Sequence, residues 1–162
     1  MKRFVLMMVG ALVALAVAAP MVIAQPNAGA PGDASGTIVV NPGDYPGACD
    51  FPFSLELSGK GKLIELPNGG TIATSPGLDA TVTNLEQPEN QATFNITGTV
   101  HTRTLENGDV VTVIRGRNFA IDPEAGTVVA IGRFSFVFDA EGNLAQPLTG
   151  NGRLIDVCEL LS

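Results

Sequence analysis

The amino-acid sequence predicts an all-β fold, built as an antiparallel barrel of about eight strands. Apolar and polar residues alternate with a period of two, turn sequences separate these runs at short intervals, and no segment has the spacing of an amphipathic helix. A β-sandwich is the alternative architecture. Glycines inside predicted strands favour the barrel, because glycine permits the sharp coiling of a small closed sheet. They are Gly61, Gly98, Gly116 and Gly132.

The N-terminal residues have the layout of an export signal. Lys2 and Arg3 precede an apolar run over residues 4–19, and the sequence then becomes polar and rich in Pro and Gly. This pattern predicts a secretory signal peptide over residues 1–24, with cleavage after Ala24. An uncleaved anchor is the alternative, since the apolar stretch is long enough to span a bilayer. The predicted location is therefore extracellular or in the cell envelope.

A flexible lead-in and one folded domain are predicted to follow the signal. Residues 25–36 are rich in Pro, Gly and Ala and have no apolar period, whereas residues 37–162 form a single all-β domain. A β-branched run over residues 37–41 predicts the first strand. Alternation over residues 51–58 predicts a second strand with one buried face. The turn at residues 67–70 predicts a hairpin between the next two strands.

The later strands are predicted in the same way. Alternation is clearest over residues 91–101, where Phe94 shares a face with its apolar neighbours. An Asn-Gly turn at residues 107–108 predicts a hairpin, because it supplies the positive φ angles that a tight turn requires. Residues 127–139 predict a strand whose three phenylalanines share one face. The other predicted strands span residues 78–85, 110–117 and 152–161.

The cysteines predict a disulfide, and the acidic charge makes several classes of binding partner unfavourable. Cys49 and Cys158 are the only cysteines, and in an exported chain the pair predicts a disulfide. With one histidine and no CxxC, no metal site is predicted, and no cofactor is expected. Removal of residues 1–24 takes the net charge from −7 to −9. This acidic balance argues against nucleic acid and anionic membranes as partners.

Arginines and phenylalanines supply the candidate ligand-binding residues. Gly-Arg steps recur at Arg117, Arg133 and Arg153, and three guanidinium groups at one rim would grip a carboxylate or phosphate. The alternative is that each arginine covers the outer surface. Arg133 fits this alternative, because along its strand it points to the face opposite Phe134, Phe136 and Phe138. The phenylalanines would line a lumen or, alternatively, fill the core. They are Phe94, Phe134, Phe136 and Phe138.

Signals for catalysis are weak. His101 is the single histidine, and no Gly-x-Ser-x-Gly elbow accompanies it. The carboxylate pairs lie in turn-like sequence, where acidic residues cap and solvate. Asn95 begins an Asn-Ile-Thr triplet, which is a glycosylation acceptor only in a host that modifies exported proteins.

Several short motifs are distinctive. They are Val82-Thr83-Asn84, Asn95-Ile96-Thr97-Gly98, Asn107-Gly108-Asp109, Gly116-Arg117-Asn118, Gly132-Arg133-Phe134, Gly152-Arg153 and the ending Asp156-Val157-Cys158-Glu159-Leu160-Leu161. Together they resemble a group of small secreted bacterial β proteins of unknown function, most abundant in actinobacteria, over most of residues 49–162. The resemblance implies export and a β fold and supplies no catalytic residues. By architecture alone, the strand number also resembles lipocalin and allene-oxide-cyclase or dirigent barrels.

The sequence thus favours a secreted, non-catalytic β-module that binds a small apolar or anionic ligand. One alternative is a structural or adhesion module of the cell envelope that acts through its outer faces. A second alternative is a barrel-type isomerase or lyase. A small-molecule ligand is the expected partner, no membrane partner is expected after cleavage, and the oligomeric state is left open.

Overall fold

The computed structural model describes residues 29–162, which consist mainly of β-strands. The elements are β1 (Gly32–Asp33), β2 (Gly36–Val40), β3 (Phe53–Ser58), β4 (Lys60–Glu65), β5 (Thr71–Thr74), β6 (Asp79–Asn84), β7 (Gln91–Asn95), β8 (Gly98–Thr104), β9 (Val110–Asp122), β10 (Gly126–Phe138), β11 (Leu144–Asp156) and α1 (Val157–Leu160). The all-β prediction is confirmed. The predicted signal peptide over residues 1–24 lies outside the described residues. Within the described part of the chain, no helix has the length and hydropathy of a membrane span.

The strands form two antiparallel sheets. One sheet has seven strands in the order β1-β4-β5-β8-β9-β10-β11, and the other has four in the order β2-β3-β6-β7. No closed barrel is detected among residues 29–162, since each sheet has an open strand order. Neighbouring strands in the larger sheet are mostly consecutive in sequence, as expected where short turns join antiparallel strands.

Local patterns determined several strands and turns. In β3 the side chains of Phe53, Leu55 and Leu57 are buried while those between them are more exposed, as the alternation predicted. The predicted hairpin about residues 67–70 joins β4 to β5. At the Asn-Gly turn, the Gly108 backbone N–H donates to the Leu105 carbonyl at 3.0 Å and closes the β8–β9 hairpin.

The predicted strand over residues 91–101 is two strands in different sheets. β7 pairs with β6 in the four-stranded sheet, and β8 pairs with β5 and β9 in the seven-stranded sheet. The chain crosses between the sheets at Ile96, which is buried and donates its backbone N–H to the Leu78 carbonyl at 2.8 Å. Alternation reports which face is buried and carries no information about the pairing partner, so the crossing left the pattern unbroken.

The main hydrophobic core, called here the first core, contains side chains from both sheets. Phe53, Leu55 and Val82 enter it from the four-stranded sheet, and Phe119 and Val129 enter it from β9 and β10. The rings of Phe53 and Phe119 lie 6.5 Å apart across this contact. Burial of such side chains supplies most of the driving force for joining the two sheets.

A smaller cluster, called here the second core, lies on the opposite face of the same long strands. It contains Ile114, Ala130 and Phe134. Val129 and Ala130 are adjacent and belong to different cores, because successive side chains of a strand point to opposite faces. The first half of β10 is therefore buried on both faces, which explains why its sequence is apolar at every position from Val128 to Ile131.

Both ends of the described chain attach to this framework. Within the predicted lead-in over residues 25–36, β1 pairs with β4, and Ala34 is buried in the first core. At the other end, the predicted disulfide between Cys49 and Cys158 is confirmed, with Cα atoms 5.4 Å apart. A disulfide fits the expected extracellular environment.

Four glycines line up across four neighbouring strands. Gly98 pairs with Gly116, Gly116 pairs with Gly132, and Gly132 pairs with Gly152. We call this set the glycine row. A Cβ atom on Gly132 would lie 2.8 Å from the Gly152 Cα atom and closer still to the Asn151 carbonyl oxygen. Strands β8–β11 therefore approach one another so closely at the glycine row that a residue larger than glycine would not fit there.

Candidate functional site

A cavity of about 160 Å³ lies beside the second core. Its walls come from β8, β9, the β10–β11 hairpin and two proline-containing turns, at Pro46 and Pro123. The main apolar side chains that line it are Val100, Ile114, Phe136, Phe138, Leu144 and Leu148. Such a wall excludes water from a small apolar guest and offers it dispersion contacts on several sides.

An irregularity in β11 shapes the cavity wall. Ser135 pairs with Thr149 and Val137 pairs with Gln146, so two residues of β11 oppose Phe136 alone. This arrangement is a β-bulge, and it contains Pro147, which has no backbone N–H to offer the ladder. The bulge turns Leu148 into the cavity.

A buried carboxylate holds the bulge in place. Asp122 is 5% exposed and lines the cavity. One carboxylate oxygen accepts the backbone N–H groups of Glu124 and Ala125 at 3.0 and 2.9 Å. The other accepts the Leu148 N–H at 2.9 Å. Asp122 thus ties the β9–β10 turn to the bulge, and its hydrogen bonds offset part of the cost of burying the carboxylate.

The β10–β11 turn closes one side of the cavity. Gly142 and Leu144 line the wall, and the turn is held by Asp139, which accepts hydrogen bonds from the side-chain amide and backbone N–H of Asn143. These bonds, the side-chain bond first, keep the pKa of the Asp139 carboxyl below its ordinary value, because they favour the ionised form. The turn therefore keeps its charge-assisted hydrogen bonds at neutral pH.

The four predicted phenylalanines occupy different places. Phe136 and Phe138 line the cavity, with ring centroids 5.8 Å apart in an edge-to-face arrangement. Phe134 belongs to the second core, where its ring lies over Gly152 in the glycine row. Phe94 is on β7 and packs against the first core. The structure brings two of the four predicted residues together at the cavity.

One buried hydroxyl on the cavity side of the sheet has no hydrogen-bond partner. Thr112 pairs directly with Phe136, so the two side chains share a face. Its Oγ1 atom is buried and bonds to no other described residue. An unpaired hydroxyl in an apolar surrounding costs free energy. Thr112 is fully buried and does not line the cavity, so this hydroxyl lowers stability and is not a ligand contact.

Replacement of Thr112 by valine is expected to raise the free energy of unfolding by about 1 kcal/mol, because a methyl group of similar shape replaces the unpaired hydroxyl. Chemical denaturation measures the change. Thr127→Val is the matched control: this buried hydroxyl donates to the Gly47 carbonyl at 3.0 Å, and its loss is expected to cost about 1 kcal/mol. Equal destabilisation by both substitutions would contradict the assignment of Thr112 as unpaired.

The three predicted arginines lie on the opposite face of the sheet, together with Arg115, which was not among the predicted ligand-binding residues. Arg115 pairs directly with Arg133, while Arg117 and Arg153 both pair with Ile131, one from each side. All four arginine side chains are exposed. We call this set the arginine face. Alternation places it on the other side of the strands from Phe134 and Phe136, so the predicted arginines and phenylalanines do not form one site.

The arginine face is free of acidic neighbours in its own register. The row that contains Arg115 and Arg133 continues to Thr99 on one side and to Asn151 on the other. The glycine row runs between this row and the row of Arg117 and Arg153. Direct cross-strand pairing of two arginines is unfavourable unless an anion neutralises them.

Other candidate residues have local roles. His101 is half-buried between Ile72 and Val113 in the register of β5, β8 and β9. The side-chain amide of Asn95 donates to Asp79 at 2.9 Å, and its carbonyl oxygen accepts from Thr97 at 2.7 Å. Within residues 29–162, no group of three or more His, Cys, Asp or Glu side chains is arranged to hold a metal ion.

Sequence reasoning missed most of the cavity wall. Val100, Ile114 and Leu148 come from three strands and carry no local signal, whereas a proline such as Pro147 within a strand is a signal for the bulge. From the sequence, Asp122 is recognisable only as a carboxylate in a turn, and its place in the cavity wall is not. No known protein family, curated protein or solved structure matches the chain. The resemblance to secreted actinobacterial β proteins stays a prediction.

Proposed function

We propose that this protein is a secreted, non-catalytic β-module that binds one small apolar ligand in the cavity beside the second core. The observation that carries the proposal is the apolar cavity itself, about 160 Å³ in volume and lined by Phe136, Phe138, Leu144 and Leu148. Empty apolar cavities of roughly 150 Å³ bind a single aromatic ring in other proteins. The ligand class is therefore a one-ring aromatic or a short aliphatic molecule.

The polar groups near the cavity leave few hydrogen bonds for a ligand. The two carboxylate oxygens of Asp122 already accept three backbone N–H groups, so Asp122 mainly maintains the wall. The unpaired Thr112 hydroxyl is fully buried, and Thr112 does not line the cavity. We therefore expect toluene to bind more tightly than phenol, because phenol would lose hydrogen bonds with water on entry.

We further infer that the two sheets are arranged as a sandwich rather than a closed barrel. Support comes from the first core, which contains Phe53 and Val82 of one sheet together with Phe119 and Val129 of the other. In such an arrangement the cavity lies mainly on the far face of β9 and β10, and its lining also includes Phe119 and Ile121 of the first core. A ligand can then enter without disturbing the contact between the sheets.

Toluene is the probe for this proposal, followed by two-dimensional NMR of the intact protein. We expect saturable shifts of the Phe136, Phe138 and Leu144 resonances with a Kd at or below about 1 mM, which corresponds to about −4 kcal/mol. Filling the space with Leu144→Phe is expected to weaken binding by about tenfold or more. Leu85→Phe is the matched control, because Leu85 is 43% exposed and lies in the loop after β6.

Two results would overturn the proposal. One is the absence of saturable toluene shifts in the folded protein. The other is unchanged toluene affinity in Leu144→Phe when that variant retains the amide spectrum of the native fold.

A further inference from the structure

All five arginines of residues 29–162 lie on one face of one sheet. Arg115, Arg117, Arg133 and Arg153 form the arginine face, and Arg103 lies farther along β8 on the same side, opposite Val111. All five are exposed. The chain as a whole carries 16 acidic residues against nine basic ones, so this segregation gives an acidic protein one cationic face.

We propose that the arginine face binds an anionic polysaccharide that lies across the strands. This role is separate from the cavity, because the arginine side chains point away from the second core. A guanidinium group forms paired hydrogen bonds with a carboxylate or a sulfate, and both groups occur on acidic sugars. The structure thus assigns a polymer-binding surface to the face of the sheet that also carries Val129 of the first core, and a small-molecule site to the opposite face.

The spacing of the arginines fits a repeating anion. Directly paired residues have Cβ atoms about 5 Å apart, so Arg115 and Arg133 can share one anionic group. Arg117 and Arg153 are two strands apart, about 10 Å. The two rows are about 7 Å apart along the strands. Successive acidic groups of a sugar chain can therefore meet successive guanidinium groups without sharp bending of the polymer.

Uncharged polar residues extend the same surface. The row of Arg115 and Arg133 reaches Thr74 and Thr99 on one side and Asn151 on the other. Hydroxyl and amide groups donate and accept hydrogen bonds, which is what sugar hydroxyls require between the charged groups. A row of this composition suits a glycan better than it suits a small inorganic anion.

Three other anionic partners fit the surface less well. Single-stranded nucleic acid relies on aromatic stacking, and no Phe or Tyr occurs in the two arginine rows. Duplex nucleic acid carries one charge per roughly 1.7 Å, and an acidic protein repels such dense charge strongly. A membrane surface favours apolar side chains beside the cations. Of the exposed large apolar residues, Val39, Leu85 and Leu160 lie on other elements, and Leu154 pairs with Ala130 on the opposite face of β11.

The test measures binding of the intact disulfide-bonded protein to polygalacturonate, dextran sulfate and neutral dextran. We expect saturable binding to at least one acidic polymer, weakening with added salt, and no binding to neutral dextran. The two acidic polymers distinguish carboxylate from sulfate as the recognised group. The double variant Arg115→Gln with Arg133→Gln is expected to weaken that binding by about tenfold or more.

The matched control is the single variant Lys60→Gln, compared with the single variant Arg133→Gln, because each removes one positive charge and Lys60 lies outside the arginine face. Lys60 pairs with Asp33 at the sheet edge. Equal loss of binding in these two single variants would show that only the net charge matters and would overturn the proposal. The proposal also fails if both acidic polymers leave the protein unbound, or if single-stranded DNA or anionic vesicles bind it more tightly. Toluene shifts report the cavity independently of every one of these outcomes.

Discussion

Replacing both cysteines, in the double variant Cys49→Ser with Cys158→Ser, is expected to lower the free energy of unfolding by about 4–5 kcal/mol. The disulfide closes a loop that spans a sequence separation of 109 residues and so restricts almost the whole unfolded chain. It also holds α1 against the first core, where Val157 and Leu161 are fully buried. Without the bond, this last short element has only its packing to keep it in place.

Chemical denaturation of the double variant and the wild type, both monitored by circular dichroism, measures this loss. Wild-type protein unfolded in the presence of a reductant is the control, and it is expected to match the double variant within error. A loss below about 1 kcal/mol would mean that the unfolded chain is already compact enough to make the link unimportant.

Replacement of Gly132 by alanine is expected to cost about 3 kcal/mol of stability. Gly132 has a φ of 137°, which L-amino acids rarely adopt. The added methyl group would also meet the Asn151 carbonyl and the Gly152 Cα atom on the neighbouring strand. Both contacts are with backbone, so relief requires the β10 and β11 strands to separate at the glycine row.

Gly36→Ala is the matched control for this substitution. Gly36 begins β2, and a Cβ atom there would meet nothing within 4 Å. We expect its stability to be unchanged or slightly increased, since alanine restricts the unfolded chain. Thermal and denaturant unfolding of the two variants gives the comparison. Similar stabilities for Gly132→Ala and Gly36→Ala would contradict a close-packed glycine row.

The elements that follow from local chemistry were the ones the sequence could predict. The strand at Phe53–Ser58 has one buried face, and its alternation of apolar and polar residues predicts that face. The Asn-Gly turn at residues 107–108 and the turn at residues 67–70 need positive φ angles, and the glycines supply them. The disulfide needed only a pair of cysteines and an expected oxidising compartment.

The elements that depend on distant partners were not predictable. The strand over residues 91–101 divides between two sheets because Ile96 is held by Leu78, and no pattern within the strand records that contact. β9 runs on to Asp122, beyond the predicted end, because its last residues enter the first core. The pairing of Gly132 with Gly152 likewise follows from register.

The sequence by itself determined the fold class, the turn positions, the covalent link and the grouping of arginine with glycine. Tertiary structure decided that Arg115 and Arg133 pair on one face of the sheet while Phe136 and Phe138 line a cavity on the opposite face. The reason is physical: the period of a strand sets which side chains share a face, whereas register and bulges set which strands meet there. Register and bulges therefore determine where both the cavity and the arginine face form.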